Sequence, residues 1–437
     1  MWLHVMFWIS AGILVFTFAG YPLALVLMCP FRRRPAIPKE ASFEPFISLI
    51  VPARNEEQHI LRKLQNCVEL DYPAHKMEIL IVDDASEDRT ASIISDFLND
   101  FKSQGGDISR FRVLRQETNK GKVAALNRAV AEAKGEVVVF SDADSLISKH
   151  SLRLLLHPFI NPIVACVAGR YFPGGVSGRN AAGVGFYWKY ENYLRRKESQ
   201  AGGLLGASGA LYAIRRSEYE PLNEGAINDD FIIPMRMTEK GFRCLYEPRA
   251  TAVEDESRNS QIEYSRRVRI MAGNCEHLWM FRGLLMSRRK WRTALQLFCH
   301  KFLRVVSPIF LILFFFSNTL LLFGLLPSDG NSSGAIGPYV GYGLLLPFFY
   351  LIMFILQCLF YSLALFGYSR KGEDQVSKLM TLPYYFCMVN LSSLHGIYYF
   401  IFNRSQLPWT SAARSRVDED ENDNLHDSVL AARGHKS

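Results

Sequence analysis

Two carboxylates one residue apart, Asp142 and Asp144, directly follow an apolar run, Val137-Val138-Val139-Phe140. Four consecutive β-branched or aromatic residues predict a strand buried on both faces, as in a parallel sheet. Ligands of open α/β sheets bind just beyond the carboxyl ends of the strands. An Asp-x-Asp at such a tip therefore offers hard oxygen ligands at the mouth of the sheet. These suit a divalent cation, Mg²⁺ or Mn²⁺, bridging to the phosphates of a substrate. The plainer reading is a strand, an Asx-turn and the N-cap of a helix over residues 150–157. Two further acidic pairs carry the same ambiguity. Asp83-Asp84 ends an apolar stretch, and Asp84 with Glu87 also has the spacing of a capping box. Asp229-Asp230 reads as N-caps of a helix over residues 231–240 or as a second acidic site.

The elements that must position these groups are legible as a pattern. Residues 46–52, 77–82, 111–114 and 137–140 read as strands. Helices follow over residues 55–71 and 121–134, and after Asp84. Strands alternating with helices at this spacing predict a parallel, doubly wound sheet. Beyond Ile163 the regularity loosens: a helix over 186–199 rich in aromatic and basic residues, a glycine-rich loop over 202–209, strands at 210–214 and 243–246, and a strongly basic helix over 261–279.

Composition separates this middle from the ends. Of 437 residues, 49% are hydrophobic, and the apolar residues concentrate at the two ends in runs long enough to cross a bilayer. Residues 2–28, 305–326, 340–367 and 379–402 are the four candidate spans. The last is suspect because it contains Pro383 and the polar stretch Asn390 to His395. Residues 289–303 predict an amphipathic helix on the membrane surface. The net charge of +8 includes basic clusters beside the apolar runs, Arg32-Arg33-Arg34 and Arg288-Arg289-Lys290, which fit a cytoplasmic membrane face better than nucleic acid. The charge following the first span predicts an uncleaved anchor with its N-terminus outside. Arg404, Arg414 and Arg416 argue for an inside C-terminal tail, against an odd number of spans after the middle domain. The eight Cys show no C-x-x-C pairing or metal-ligand spacing and read as reduced, mostly buried thiols.

The order of motifs, Pro52-Ala53-Arg54-Asn55-Glu56, Asp83-Asp84, Asn119-Lys120-Gly121-Lys122, Asp142-Ala143-Asp144 and Asp229-Asp230, resembles that of family-2 glycosyltransferases. The likeness extends to membrane-embedded synthases of cellulose, hyaluronan and poly-N-acetylglucosamine. It implies an α/β GT-A domain, with a doubly wound, mostly parallel sheet, flanked by transmembrane α-helices. The expected layout is a transmembrane helix (1–30), a linker (31–45), the GT-A domain (46–285), an interfacial amphipathic helix (286–304), transmembrane helices (305–403) and a polar tail (404–437). The resemblance further implies that Arg54 and Glu56 line a nucleotide pocket and that Asp83 and Asp84 contact uridine. Lys122 lies near the phosphates, Asp142 and Asp144 hold the metal and diphosphate, and Asp230 is the general base, with Asp229 beside it. Gly206 to Gly209 and Tyr212 to Arg216 fall where the family places its acceptor.

Displacing a sugar from a nucleoside diphosphate needs the leaving group neutralised and a proton taken from the attacking hydroxyl. A carboxylate-held metal, Lys122 and Asp230 meet those needs, and one base without a partnering nucleophile implies inversion. The expected donor is a UDP-sugar, and the expected acceptor a polysaccharide or glycan at the cytoplasmic face of an inner membrane. Expected partners are membrane lipids and accessory export proteins, and no nucleic acid. Polymerising relatives carry Gln-x-x-Arg-Trp where this chain has Arg266-Arg267-Val268-Arg269-Ile270. Arg266 and Arg269 lie three apart on one helical face, within reach of the diphosphate, but Ile270 supplies no aromatic platform for a terminal sugar. Single transfer to a lipid acceptor is therefore the first alternative. A non-catalytic membrane transporter or scaffold is the alternative of another class.

Overall fold

The computed structural model describes residues 1–29, 43–174, 181–255, 260–324, 345–370 and 377–402. The basic cluster at 32–34, most of the expected linker, Arg404, Arg414, Arg416 and the expected tail lie outside the described residues. The described residues divide into two compact units: 1–29, 181–202, 270–324, 345–370 and 377–402 form one, and 43–174, 203–255 and 260–269 the other.

The second unit is built on one eight-stranded sheet. Its strands are β1 (Ile47–Ala53), β2 (Met77–Asp83), β3 (Phe111–Arg115), β4 (Val137–Phe140), β5 (Ser145–Ile147), β6 (Val164–Gly174), β7 (Tyr212–Arg215) and β8 (Arg243–Asp255). They lie in the order β3-β2-β1-β4-β7-β6-β8-β5. β1 to β4 are mutually parallel where they pair, and β6 runs parallel to β8. β7 is antiparallel to both β4 and β6, and β5 to β8. The sheet is thus mixed with parallel pairs dominant, as the alternation of strands and helices predicts. Every side chain of β2 and β4 is buried, which explains the apolar runs Ile79 to Val82 and Val137 to Phe140. Register aligns the tips: Ala53 pairs with Asp83, and Ile50 with Phe140. The loops after β1, β2 and β4 therefore leave the sheet on one edge.

Several local expectations are corrected. β5 and β6 were not foreseen, and β8 runs nine residues past the predicted Tyr246. Gly169 and Arg170 break the apolar pattern of β6, and β8 carries Glu247, Arg249, Glu254 and Asp255 beyond Tyr246. The helix after β2 begins at Thr90, not at Asp84, and Asp88 Oδ1 accepts the Thr90 N–H at 2.9 Å. The N-cap is Arg89, which makes no side-chain cap hydrogen bond, and Asp84 is engaged elsewhere.

Among the described residues of the other unit, three helices are long and apolar enough to cross a membrane: Trp2–Met28, Trp291–Phe323 and Phe348–Ser369. Trp8, Ile9, Leu23, Phe316, Leu359 and Phe366 point outward with large exposed surfaces, as acyl chains would require. Where a surface helix followed by a separate span is expected, the structure has one continuous helix of 33 residues from Trp291. The fourth candidate forms the helix Lys378–Phe402 but is absent from the three. It buries Thr381, Asn390, Ser392 and Ser393, and Asn390 Oδ1 accepts from Ser307 Oγ at 2.8 Å.

This unit is pinned by buried polar groups. The helix Ala181–Ala201 contributes Glu191 and Glu198. Glu198 Oε1 accepts from the Tyr21 hydroxyl at 2.5 Å and lies 2.6 Å from His300 Nδ1. His300 Nε2 is 3.3 Å from Glu191, which also accepts from Arg304 at 2.9 Å. Burial opposes the charge of Glu191, but His300 and Arg304 beside it hold its carboxyl well below the usual range. Both apolar helices widen into π-helical turns here, at Phe16–Gly20 just before Tyr21 and at Leu297–Phe302 around His300. Such turns re-aim side chains out of the regular helical register. Removing one partner of a buried ionic network strands the others. Glu198→Ala should therefore lower stability by about 3–5 kcal/mol, read as a lower melting temperature of the detergent-solubilised protein; an unchanged melt would show that the network carries no net stability.

Candidate active site

The site lies in the sheet-bearing unit, beyond the aligned strand tips, and is built from two neighbouring clusters. In the first, the loops after β1 and β2 are zipped together. Arg54 donates to the carbonyls of Asp84 and Ala85 at 2.7 and 2.9 Å and pairs with Glu87 at 3.1 Å. Asn55, in the left-handed region at φ 51°, accepts the Glu87 N–H at 2.9 Å. The backbone N–H of Glu56 donates to Thr90 Oγ1 at 2.8 Å. Asp83 is buried; its Oδ1 accepts the Ser86 N–H at 3.0 Å, and its Oδ2 lies 3.5 Å from Arg115 and accepts no hydrogen bond. Asp84 uses both carboxylate oxygens on backbone: Oδ1 on the Lys120 N–H at 2.9 Å and Oδ2 on the Gly121 N–H at 2.8 Å. Gly121 sits at φ 86°, a conformation that favours glycine. Asp84 therefore fixes the turn that delivers the next residue, Lys122, as the first residue of the helix Lys122–Glu132.

In the second cluster, Lys122 Nζ lies 2.7 Å from Asp142 Oδ1 and 3.4 Å from Asp229 Oδ1. Burial opposes its charge, but Asp142 and Asp229 outweigh it and raise the Lys122 pKa above the ordinary lysine value. Asp142 stands at the tip of β4, and Asp229 opens the helix Asp229–Lys240. Asp229 is buried, and its Oδ2 accepts from the Tyr212 hydroxyl at 3.1 Å. The Tyr212 ring stacks on Phe140 with centroids 4.7 Å apart, so β4 and β7 together aim the hydroxyl at Asp229. Asp230 is half-buried, and its charge is felt by both Lys122 and Arg269. Arg269 is depressed chiefly by burial and by Arg266, while Asp229, Asp230 and Asp142 favour its charge. Arg266 pairs instead with Glu263 and Glu254, at 3.0 and 3.5 Å. Asp144 borders a small crevice with His59, Arg62, Leu146 and Val253.

The structure thus gathers Asp142, Asp229, Asp230, Lys122 and Arg269 into one electrostatic group. Arg54, Glu56, Asp83 and Asp84 form the adjoining loop cluster. Sequence reasoning missed Tyr212 as a partner of Asp229, and it missed Lys63. The latter is fully buried on the face that Ile60, Leu64 and Cys67 present, and a lysine on that apolar stripe was the available signal. Among the described residues, no group of three or more His, Cys, Asp or Glu is placed to hold a metal ion by itself. Two carboxylates at one strand tip still suit Mg²⁺ or Mn²⁺, which commonly keep one or two protein carboxylates and take the rest from phosphate and water.

Close packing at Gly209 tests this arrangement. A Cβ on Gly209 would fall 2.3 Å from Asp142 Oδ2 and 3.1 Å from Lys122 Nζ. Gly209→Ala should push the carboxylate off the lysine and lower stability in denaturant unfolding by about 1–3 kcal/mol, as overpacking does. A fully stable variant would contradict the tight Asp142–Lys122 contact.

Residues 48–222 match the family model for glycosyl transferase family 2, and residues 137–391, more than half of the chain, that for glycosyl transferase family group 2. The chain is similar to the probable glycosyltransferase YdaM of Bacillus subtilis, at 27% identity over 65% of each chain. It is similar to a beta-monoglucosyldiacylglycerol synthase of Synechocystis at 26% identity, covering 69% of this chain and 64% of the relative. It is also similar to a poly-beta-1,6-N-acetyl-D-glucosamine synthase of Staphylococcus epidermidis at 27% identity, covering 51% and 52%. The matched region thus spans less than two thirds of these relatives' own length. In fold, the chain resembles the mannosyltransferase PcManGT of Pyrobaculum calidifontis, solved with GDP-Man and Mn²⁺. The TM-score is 0.65 at 20% identity, covering 92% of this chain and 100% of the other. With a GT-A sheet carrying acidic strand tips and family models spanning 48–391, the chain belongs to glycosyl transferase family 2.

Proposed function

We propose that this protein is an inverting, metal-dependent glycosyltransferase. It moves a sugar from a UDP-sugar to a glycan or lipid acceptor at the cytoplasmic face of the inner membrane. The observation that carries the reading is Lys122, held between Asp142 and Asp229 at the mouth of the sheet. A half-buried cation held among carboxylates is what a leaving diphosphate and its counterion need. Asp142 and Asp144 would hold Mg²⁺ or Mn²⁺, which when bound neutralises the developing charge on the diphosphate. Lys122 and Arg269 add fixed positive charge on the same side. Asp83 Oδ2, a buried acceptor without a hydrogen bond, suits an N–H of the nucleobase. Arg288, Arg289 and Lys290 just before the long apolar helix support a cytoplasmic site.

The acceptor hydroxyl attacks the anomeric carbon as the bond to the diphosphate breaks, and its proton goes to a carboxylate. Asp230 is the candidate base. Asp229 is bonded to Lys122 and Tyr212 and serves to hold the lysine in place. One base and no enzymic nucleophile give inversion. Transfer of a single sugar to a lipid is the second reading, favoured by Ile270 where polymerising relatives carry Trp. The relatives quoted above include both a glycolipid synthase and a polymer synthase by name.

Turnover of the purified protein against a panel of UDP- and GDP-sugars, with product sizing, tests the reading. Release of UDP from one UDP-sugar with a lengthening ladder supports polymer assembly, one added sugar on a lipid supports the second reading, and turnover of GDP-sugars alone overturns the donor class. Asp144→Ala should abolish turnover and remove Mn²⁺-dependent UDP binding in calorimetry, because the strand tip then offers a single carboxylate; retained metal dependence would refute that ligand assignment. Asp230→Asn keeps the shape but accepts no proton, so turnover should fall at least ~10²-fold with UDP affinity little changed. Full activity in this variant would exclude Asp230 as the base.

A further inference from the structure

The helix Ile60–Glu69 turns Ile60, Leu64 and Cys67 into the sheet, and Lys63 enters with them at 0% exposure. Burying an ammonium is costly unless acceptors meet it. Two do: Lys63 Nζ donates to Ser141 Oγ and to the Ser145 carbonyl, each at 2.5 Å. These two residues bracket Asp142-Ala143-Asp144. Ser141 Oγ in turn donates to the Ala210 carbonyl at 2.7 Å, next to the Gly209 that packs on Asp142. One helical turn beyond Lys63, Asn66 exchanges two hydrogen bonds with the backbone of Ile147. Its Nδ2 donates to the carbonyl and its Oδ1 accepts the N–H, both at 2.8 Å. A single helix thus grips the start and the end of the acid-bearing turn, and the grip is polar where the rest of that helix face is apolar.

We infer that Lys63 and Asn66 are positioning residues that hold Asp142 and Asp144 in one conformation for a divalent cation and a nucleoside diphosphate. The inference rests on the metal-dependent reading proposed above. Neither side chain touches substrate; each acts through the backbone or hydroxyl groups flanking the two carboxylates. An apolar core residue would fill the same space as Lys63, so its polar contacts are the part that needs a purpose. Partners behind a metal site commonly change metal affinity 10–100-fold when removed.

The test uses the full-length protein in detergent, with Lys63→Met, which keeps the length and loses the donors, and Asn66→Ala, which loses the second grip. The Mn²⁺ concentration that half-saturates UDP binding, measured by calorimetry, should rise at least ~10-fold in each variant, with metal-free UDP affinity unchanged. Hydrogen exchange of the amides from 142 to 147 should quicken while that of β1 and β2 stays at the wild-type rate. A purely structural role would lower the melting temperature and leave both readouts unmoved, and that result overturns the inference. Should Lys63→Met fail to fold, Asn66→Ala alone decides by the same two readouts. Wild-type protein without any Mn²⁺-dependent UDP binding would overturn the metal-dependent reading itself and this inference with it. A wild-type response with unshifted variants overturns only the inference.

Discussion

Three aspartates, Asp142, Asp229 and Asp230, are kept together at the strand tips because Lys122 lies among them and Arg269 adds a second positive charge. Like charges this close and partly out of water repel strongly unless a cation compensates them. Much of the sheet-bearing unit is arranged to satisfy that constraint. Asp84 holds the Lys120–Gly121 turn that aims the lysine, β7 brings Tyr212 onto Asp229, and Gly209 has no Cβ where Asp142 must lie. The parallel register of β1, β2 and β4 delivers these loops to a single edge. A cluster compensated in this way is also ready for a polyanionic substrate that arrives with its own counterion, since the same cations can then face phosphate oxygens.

The unit that carries the apolar helices meets a comparable constraint with different parts. Glu191 and Glu198 on the helix Ala181–Ala201 are buried with His300 and Tyr21, beside the half-buried Arg304. Ionisable groups in such surroundings are costly unless paired, and the π-helical turns at Phe16–Gly20 and Leu297–Phe302 supply the displacement that pairs them. The pairing ties an aromatic, basic helix to two of the apolar ones. This explains why a segment too polar to span a membrane is compact with helices that are apolar enough to do so.

The sequence made some of this readable and hid the rest for physical reasons. β4 and its two aspartates stood out because a strand buried on both faces needs an apolar run and its tip marks the ligand edge. The alternation around it led to the sheet. Asp84 looked like a helix cap because its true partners, the N–H groups of Lys120 and Gly121, lie more than 30 residues away and leave no local trace. β5 was too short to register, and β6 is interrupted by Gly169 and Arg170. Hydropathy alone separated residues 289–303 from the span that follows, whereas backbone continuity makes them one helix. The helix Lys378–Phe402 read as a span on its outer residues, but its buried face is rich in Ser, Thr and Asn. Lys63 was passed over because a charged residue in an amphipathic helix is ordinarily solvated, and only its hydrogen bonds identify it as buried structure.

The proposed reaction requires the acidic group around Lys122 to receive a nucleoside diphosphate together with a divalent cation. The most direct measurement is a structure of the protein soaked with Mn²⁺ and UDP, with anomalous data collected at the manganese edge. One manganese peak should lie in contact with the carboxylates of Asp142 and Asp144, with the UDP phosphates on the side of Lys122. UDP bound without manganese at those carboxylates, or manganese bound away from them, would contradict it.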